Sequence, residues 1–406
     1  MKKRYYIIAF GFLLCLLGFG YSLPAKKPVF QFLQSPSHYI AGRPILLAFK
    51  SNIRHLKPQL FIIHSYGKTV LEATEKNNTY FFSLPQSYSF KTGIVSWFLI
   101  LKKQNIQKGI FTIVPNDATK TEIENYLGPR TILTGGKEFT MLVTIPTDAY
   151  DNPKKDKTNV WVKHQFLNKI TTTLLKTNFF ITWYSIYSPT KSGKLLASSE
   201  CETIATKEIE TEIYPNIPTN FTISYERNHG FADGNHFTKL NTSQIKDEFG
   251  NIISDGTLVS FIIKTKNEYI LKSFGATING IASATILHPD HAEKYKVKGY
   301  ITGIAESNSI LINYAPVITT FQYQFSKDYR TLKVGPLKSF MKQLVPDGIK
   351  VVVKVFDKNG LFNTIQEETS NGVATFNFLE EYYPQKNYRF EISTMGIIKK
   401  SKTLKL

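Results

Sequence analysis

Hydrophobic and polar residues alternate over short runs along most of this chain, and almost nowhere do apolar positions recur at helical spacing over a useful length. Ile45–Phe49, Gln59–His64, Ser96–Leu101, Phe139–Ile145, Asn178–Ile186, Leu258–Lys264 and Lys350–Phe356 are all short and rich in β-branched and aromatic residues. Gly, Pro, Asn or Asp bounds each, so the pattern predicts strands. The exception is Ala118–Leu127, where Glu122 and Glu124 sit among threonines and a short helical turn is expected. A chain of 406 residues is too long for one sandwich. At roughly 100–200 residues per domain it should form several small cores.

The turns repeat. Asp247-Glu248-Phe249-Gly250-Asn251, followed by Asp255-Gly256-Thr257-Leu258-Val259, aligns without a gap on Asp148-Ala149-Tyr150-Asp151-Asn152 and Asp156-Lys157-Thr158-Asn159-Val160. Asn and Gly tolerate left-handed backbone, so the first half reads as an Asn-centred turn and the second as an Asp-led turn into the next strand. The last segment keeps only the second half, Asp347-Gly348-Ile349. A second recurring element is a Gly turn, an alternating strand, a proline and an aromatic. It runs Asn279-Gly280 to Ile286, Pro289 and Tyr295, and again Asn371-Gly372 to Phe376, Pro384 and Tyr388. Looser copies carry Pro215 with Phe221 and Pro85 with Tyr88. These aromatics stand where a sandwich often places a tyrosine corner.

On these residues the sequence resembles the bacterial immunoglobulin-like domains of the invasin and intimin group. The resemblance is best at residues 227–316, with Ala232-Asp233-Gly234 at the opening, and moderate at 128–226, which starts with Gly135-Gly136-Lys137. The first segment opens similarly with Ala41-Gly42-Arg43-Pro44 but lacks the Asp-Gly turn, which leaves a macroglobulin-type sandwich as its alternative. The expected architecture is all-β: a tandem array of about four immunoglobulin-like β-sandwich domains after an N-terminal signal peptide. The expected divisions are 1–22, 23–115, 116–226, 227–316 and 317–406, with links near Pro115, Glu226 and Ala315. The resemblance implies modular spacing and adhesion. The sequence shows neither a preceding barrel segment nor a cysteine-stapled tip.

Met1-Lys2-Lys3-Arg4 followed by an apolar stretch from Ile7 to Gly20 reads as an export leader, cleaved after Ser22 or alternatively Ala25. An uncleaved leader would anchor the chain instead. Cys15 lacks the small preceding residue of a lipidation motif, since Phe12-Leu13-Leu14 comes before it. Without the leader Cys201 is the sole cysteine, so no intramolecular disulfide is available and packing alone must hold the domains. The net charge of +19 favours anionic surfaces in general. The lysines are nevertheless scattered, as on an ordinary solvated surface.

Catalytic signatures are missing from the sequence: no nucleophile elbow, phosphate loop, dinucleotide fingerprint or EF-hand pattern occurs. Cys201 has no neighbouring His and reads as a lone exposed or half-buried thiol. Glu367-Glu368 and Glu380-Glu381 are adjacent pairs that point to opposite faces of a strand or sit in solvated turns. His229, Asp233 and His236, followed by His288 and His291, form the densest histidine grouping. An i, i+3 pair in a loop does not enforce convergence, so these read as turn residues. No catalytic residue, cofactor or metal site is expected. Trp161, Trp183 and Tyr184 are the candidate binding-surface aromatics, although packing of both strand faces competes with that reading. The expected partner is an unknown protein or an anionic glycan at the cell envelope, with no specific nucleic-acid binding and membrane contact only through an uncleaved leader. Three roles fit: a structural or adhesive surface array, a periplasmic or outer-membrane accessory factor that adds a client strand to a sheet edge, and a substrate of a sorting-based secretion system.

Overall fold

The computed structural model describes residues 27–33 and 36–406; the leader, with Cys15 and both cleavage positions, lies outside them. The described chain is built from strands, with one helical turn at Gln86–Ser89. No described helix is long and apolar enough to cross a membrane. Two compact units emerge. One comprises the chain up to Arg130 with Phe139–Ile186 and Lys194–Thr211, the other Thr131–Glu138, Tyr187–Gly193 and Glu212–Leu406.

In the first unit, Phe30–Phe32, Leu46–Ser51, Thr79–Ser83 and Thr74–Lys76 form one sheet. His38–Ile40, Gln104–Val114, Gly93–Leu101, Gln59–His64 and Gly67–Glu72 form the facing sheet. Alternate residues of each strand point inward, as the sequence pattern requires. Phe49, Phe82 and Trp97 meet there edge to face. Trp97 presses so closely on Gly109 that a Cβ there would lie 2.4 Å from its ring. Further along the same unit, Asn159–Phe166 pairs with Lys169–Lys176 and with Gly193–Cys201, burying Val160, Val162, Leu195 and Ala197.

The second unit holds two further cores. Phe221, Ile223, Leu240, Phe261, Val297 and Ile312 belong to one; Phe321, Val334, Val353, Phe376, Phe390 and Ile392 belong to the other. Three times along the chain a short early strand pairs parallel with a late one: His38–Ile40 with Thr112–Val114, Thr131–Leu133 with Glu212–Tyr214, and Phe231–Ala232 with Ala315–Pro316. The long ladders, such as Gly93–Leu101 with Gln104–Val114 and Glu293–Ile301 with Ala305–Pro316, are antiparallel, as in sandwiches of this kind. The fold is immunoglobulin-like and all-β.

Several expectations change. Ala118–Leu127 is not a helical turn: Glu122–Gly128 is a strand antiparallel to Phe139–Thr147, because Ile123, Asn125 and Leu127 alternate inward. Asn178–Ile186 is not a continuous strand. Phe179 and Phe180 occupy a left-handed turn closed by the Asn178 amide on the Ile181 carbonyl, and the strand starts at Thr182. The link expected near Glu226 lies earlier, because Ile223–Glu226 already pairs with Phe237–Thr242 and Phe221 is in the third core. Cys201 is fully buried, and burial, reinforced by Glu202, pushes its thiol up, so it stays protonated. Of the four corner aromatics only Tyr388 makes the local bond, donating to the Pro384 carbonyl at 3.2 Å. Tyr88 reaches the Lys68 carbonyl instead, and Tyr295 is buried against Tyr314, its hydroxyl pushed up to about 12 by burial.

Candidate functional site

The repeated turn is a joint between sandwiches. Asp148 is buried, and its Oδ1 accepts from the amides of Tyr150 and Asn152 at 2.9 and 3.0 Å while Oδ2 accepts from the Asn116 amide at 2.9 Å. Asn152 then faces the preceding sandwich, donating Nδ2 to the Phe90 carbonyl at 2.7 Å and accepting the Thr92 amide at 2.9 Å. The Asn116 side chain completes the joint by donating to the Ala41 carbonyl at 3.0 Å.

One repeat later the same atoms recur. Asp247 accepts from the amides of Phe249, Asn251 and Asn216 at 2.9, 2.8 and 2.8 Å, and from the Thr134 hydroxyl at 3.1 Å. Asn251 donates to the Thr190 carbonyl at 2.8 Å and accepts the Ser192 amide at 3.0 Å, while Asn216 donates to the Thr134 carbonyl. Burial opposes ionisation of Asp247, but the bonds from Asn251, Asn216 and Thr134 outweigh it and hold the carboxyl below its usual range.

An aromatic closes each joint. Tyr150 stacks on Phe90 with centroids 4.6 Å apart. Gly42, in left-handed backbone at φ +79, is the residue that lets this ring approach: a Cβ there would lie 2.3 Å from the Tyr150 hydroxyl. Gly135 does the same for Phe249. The openings with Ala41-Gly42 and Gly135-Gly136 thus receive the next sandwich's Asp-aromatic-Asn loop. Sequence reasoning missed Asn116 and Asn216, yet each follows a proline, Pro115 and Pro215, and precedes its Asp by a near-constant interval.

The second half of the repeat is internal to each sandwich. Asp156, Asp255 and Asp347 accept the amides of Phe180, Asn279 and Gly372. The following turn bonds a buried threonine, Thr177, Thr277 or Thr369, through both its backbone and its hydroxyl. These threonines are common to all three copies.

The candidate surface aromatics do not come together. Trp161 is 44% exposed on the outer face of its strand, opposite Leu174 and Glu200. It forms a ridge between two clefts. One of about 560 Å³ is bounded by Lys163, Thr172, Ser198 and Glu208; the other, of about 500 Å³, by Asp117, Lys155 and Glu202. Lys154, its side chain buried, pairs with Glu202 at 2.7 Å, and Thr121 donates to the same carboxylate. The bond from Lys154, then that from Thr121, holds Glu202 below the usual carboxylate range. Trp183 is exposed on strand Thr182–Tyr187 of the other sheet, with Phe179 and Phe180 in the adjoining turn. Tyr184 points the opposite way, its ring 5.8 Å from that of half-buried His164.

At the opening of the third sandwich His229, Asp233 and His236 do converge, against the expectation from a loop. His288 stands behind them, buried, with Nδ1 on the Phe231 carbonyl at 2.9 Å and Nε2 on Thr238 at 3.0 Å. His291 contacts Asp290 and Glu293 instead.

These sandwiches share the all-β, immunoglobulin-like architecture that the sequence resemblance implied. Among solved structures, the chain is similar to the Escherichia coli adhesin FdeC, at 13% identity and TM-score 0.47 over 71% of this chain and 96% of that one. It is also similar to invasin, a bacterial integrin-binding protein, at 12% identity and TM-score 0.45 over 92% and 78%. A Salmonella alpha-2-macroglobulin shares 11% identity at TM-score 0.21, over 90% of this chain and 28% of that one. No family model matches the sequence, and no curated protein is similar to it in sequence.

Proposed function

We propose that this chain is an exported, non-catalytic protein whose immunoglobulin-like sandwiches serve as structural and adhesive modules at a bacterial cell surface. The observation that carries this reading is the joint itself. A buried carboxylate with every lone-pair direction occupied, repeated at Asp148 and Asp247, fixes one sandwich on the next with directional bonds. Such fixing is useful to a protein that presents a surface at a set place, and it contributes nothing to bond-making chemistry. Trp161 between its clefts is the proposed contact surface, offering an apolar face ringed by lysines and carboxylates that suits a protein or an anionic glycan.

A second reading, strand addition to a protein client in the periplasm or at the outer membrane, is favoured by the sheet-edge strand Gly360–Glu368, which is exposed along nearly its whole length. Protease digestion of intact and then permeabilised cells, followed against a periplasmic control, separates the two. Surface display predicts loss from intact cells while the control survives. Protection until permeabilisation sinks the adhesive reading and favours the client-binding one.

A further inference from the structure

The histidine grouping at the opening of the third sandwich brings together ligating side chains that the joints do not explain. Strand Phe231–Ala232 is held parallel to Ala315–Pro316, and Gly234, in left-handed backbone at φ +67, donates its amide to the Pro289 carbonyl at 3.0 Å. The loop between His229 and His236 is thereby pinned through its middle. Asp233 sits at its centre. Its Oδ1 accepts the amides of Asn235 and His236, each at 3.2 Å, which fixes the carboxylate plane and turns Oδ2 toward two imidazoles. His229 Nε2 is 3.5 Å from that oxygen and His236 Nδ1 is in direct contact with it.

The donor atoms of His229, Asp233 and His236 all lie within 4.8 Å of one another. A cation about 2.0–2.2 Å from each donor can occupy such a space with small side-chain adjustments. Behind the three, His288 has both nitrogens engaged and packs on Tyr314, so it forms a wall and does not compete as a ligand. Arg227, on the preceding segment, lies over the rings of Tyr225 and Tyr314 and donates to the Asn313 carbonyl.

We propose that His229, Asp233 and His236 form a binding site for a zinc-class divalent cation. Two imidazoles and one carboxylate are the donors of a borderline transition metal; calcium and magnesium select all-oxygen sets. His229 and His236 are partly exposed, at 28% and 46% of their side chains, which leaves a coordination position for water or an added ligand. Without a cation, His229 Nδ1 accepts the Phe231 amide at 3.2 Å, so the ring proton sits on Nε2 facing Asp233. Binding a cation at His229 Nε2 moves that proton to Nδ1, at the cost of the long Phe231 bond. The bound cation would cross-link the segment before strand Phe231–Ala232 to the loop after it.

Calorimetric titration of the chelator-stripped full chain with zinc chloride tests the site. The expected result is about one equivalent bound near pH 7.5 and a raised melting temperature of the loaded chain. His229→Ala and His236→Ala each abolish the event, Asp233→Asn weakens it while keeping the loop's turn-forming shape, and His291→Ala leaves it intact. Where a histidine variant fails to fold, cobalt(II) added to the unaltered chain provides the second readout, with visible bands of a nitrogen- and oxygen-ligated ion that vanish when excess zinc or a chelator is added. Absence of saturable zinc binding overturns the proposal. So does binding that survives both histidine substitutions or is lost with His291→Ala.

Discussion

The joint at Asp247–Asn251 and the loop at Ser339–Gln343 share one backbone and differ in chemistry. In both, the first residue's amide donates to the carbonyl of the last, and the fourth residue's amide donates back to the first carbonyl. Isolated bridges flank both in the same way, Lys246 with Ile252 and Lys338 with Leu344. The earlier loop buries Asp247 and turns Asn251 onto the preceding sandwich. The later one has Ser339 and Gln343 at those positions, follows Pro316-Val317 where the other follows Pro215-Asn216, and holds its neighbour by stacking Phe340 on Phe231 at 4.4 Å. The Phe340 amide also donates to the Val317 carbonyl at 3.0 Å. One turn geometry thus supports a polar, buried joint in one place and an exposed, mainly apolar one in another. Backbone conformation sets where the loop goes, and side-chain chemistry sets how firmly it holds.

Substituting the buried carboxylate is the strongest way to break that contrast. Asp247→Ala strands the amides of Asn216, Phe249 and Asn251 in a buried place and should destabilise the chain by about 3 kcal/mol. The lowered transition of the third sandwich in a calorimetric scan is the measurement. A change below about 1 kcal/mol would mean that water replaces the carboxylate and that the joint is not held as described.

Acid should separate the two loops more gently. The folded Asp247 binds its proton less readily than the unfolded chain does, so its contribution is complete above the unfolded value of about 4 and is lost as pH falls through the depressed native value. Limited proteolysis from about pH 6 down to 3 should therefore open the 212–251 region in acid, while the 317–343 region, with no carboxylate at 339, is spared this particular loss. Asp247→Asn should remove the difference. The smallest effect belongs to Phe340→Ala. Its ring is half exposed, so losing the stack should cost about 1 kcal/mol or less in a denaturant midpoint.

Much of the fold is legible in particular residues. Alternation at Gln59–His64 and Leu258–Lys264 gives their strands to the residue, because side chains on a pleated strand face opposite sides and one side must be buried. It fails at Asn178–Ile181, where Phe179 and Phe180 look like a buried strand yet adopt left-handed backbone with both rings in solvent. The amide of Phe180 is drawn there by Asp156, 24 residues away, and no local pattern contains that bond. The repeated Asp and Asn were visible as a repeat, but their destination was not, since Phe90, Thr92, Thr190 and Ser192 are distant in sequence.

The sequence by itself determined the class of secondary structure, the repeat and the lack of catalytic motifs, because each depends on residues close together along the chain. The tertiary structure alone decided that Asp148 and Asp247 sit in joints, that Trp161 stands outside while Tyr184 turns inward, and that His229, Asp233 and His236 meet. Those outcomes depend on which distant carbonyls, amides and rings the folded sheets bring within about 3 to 6 Å, and hydrogen bonds and ring contacts act only over such distances.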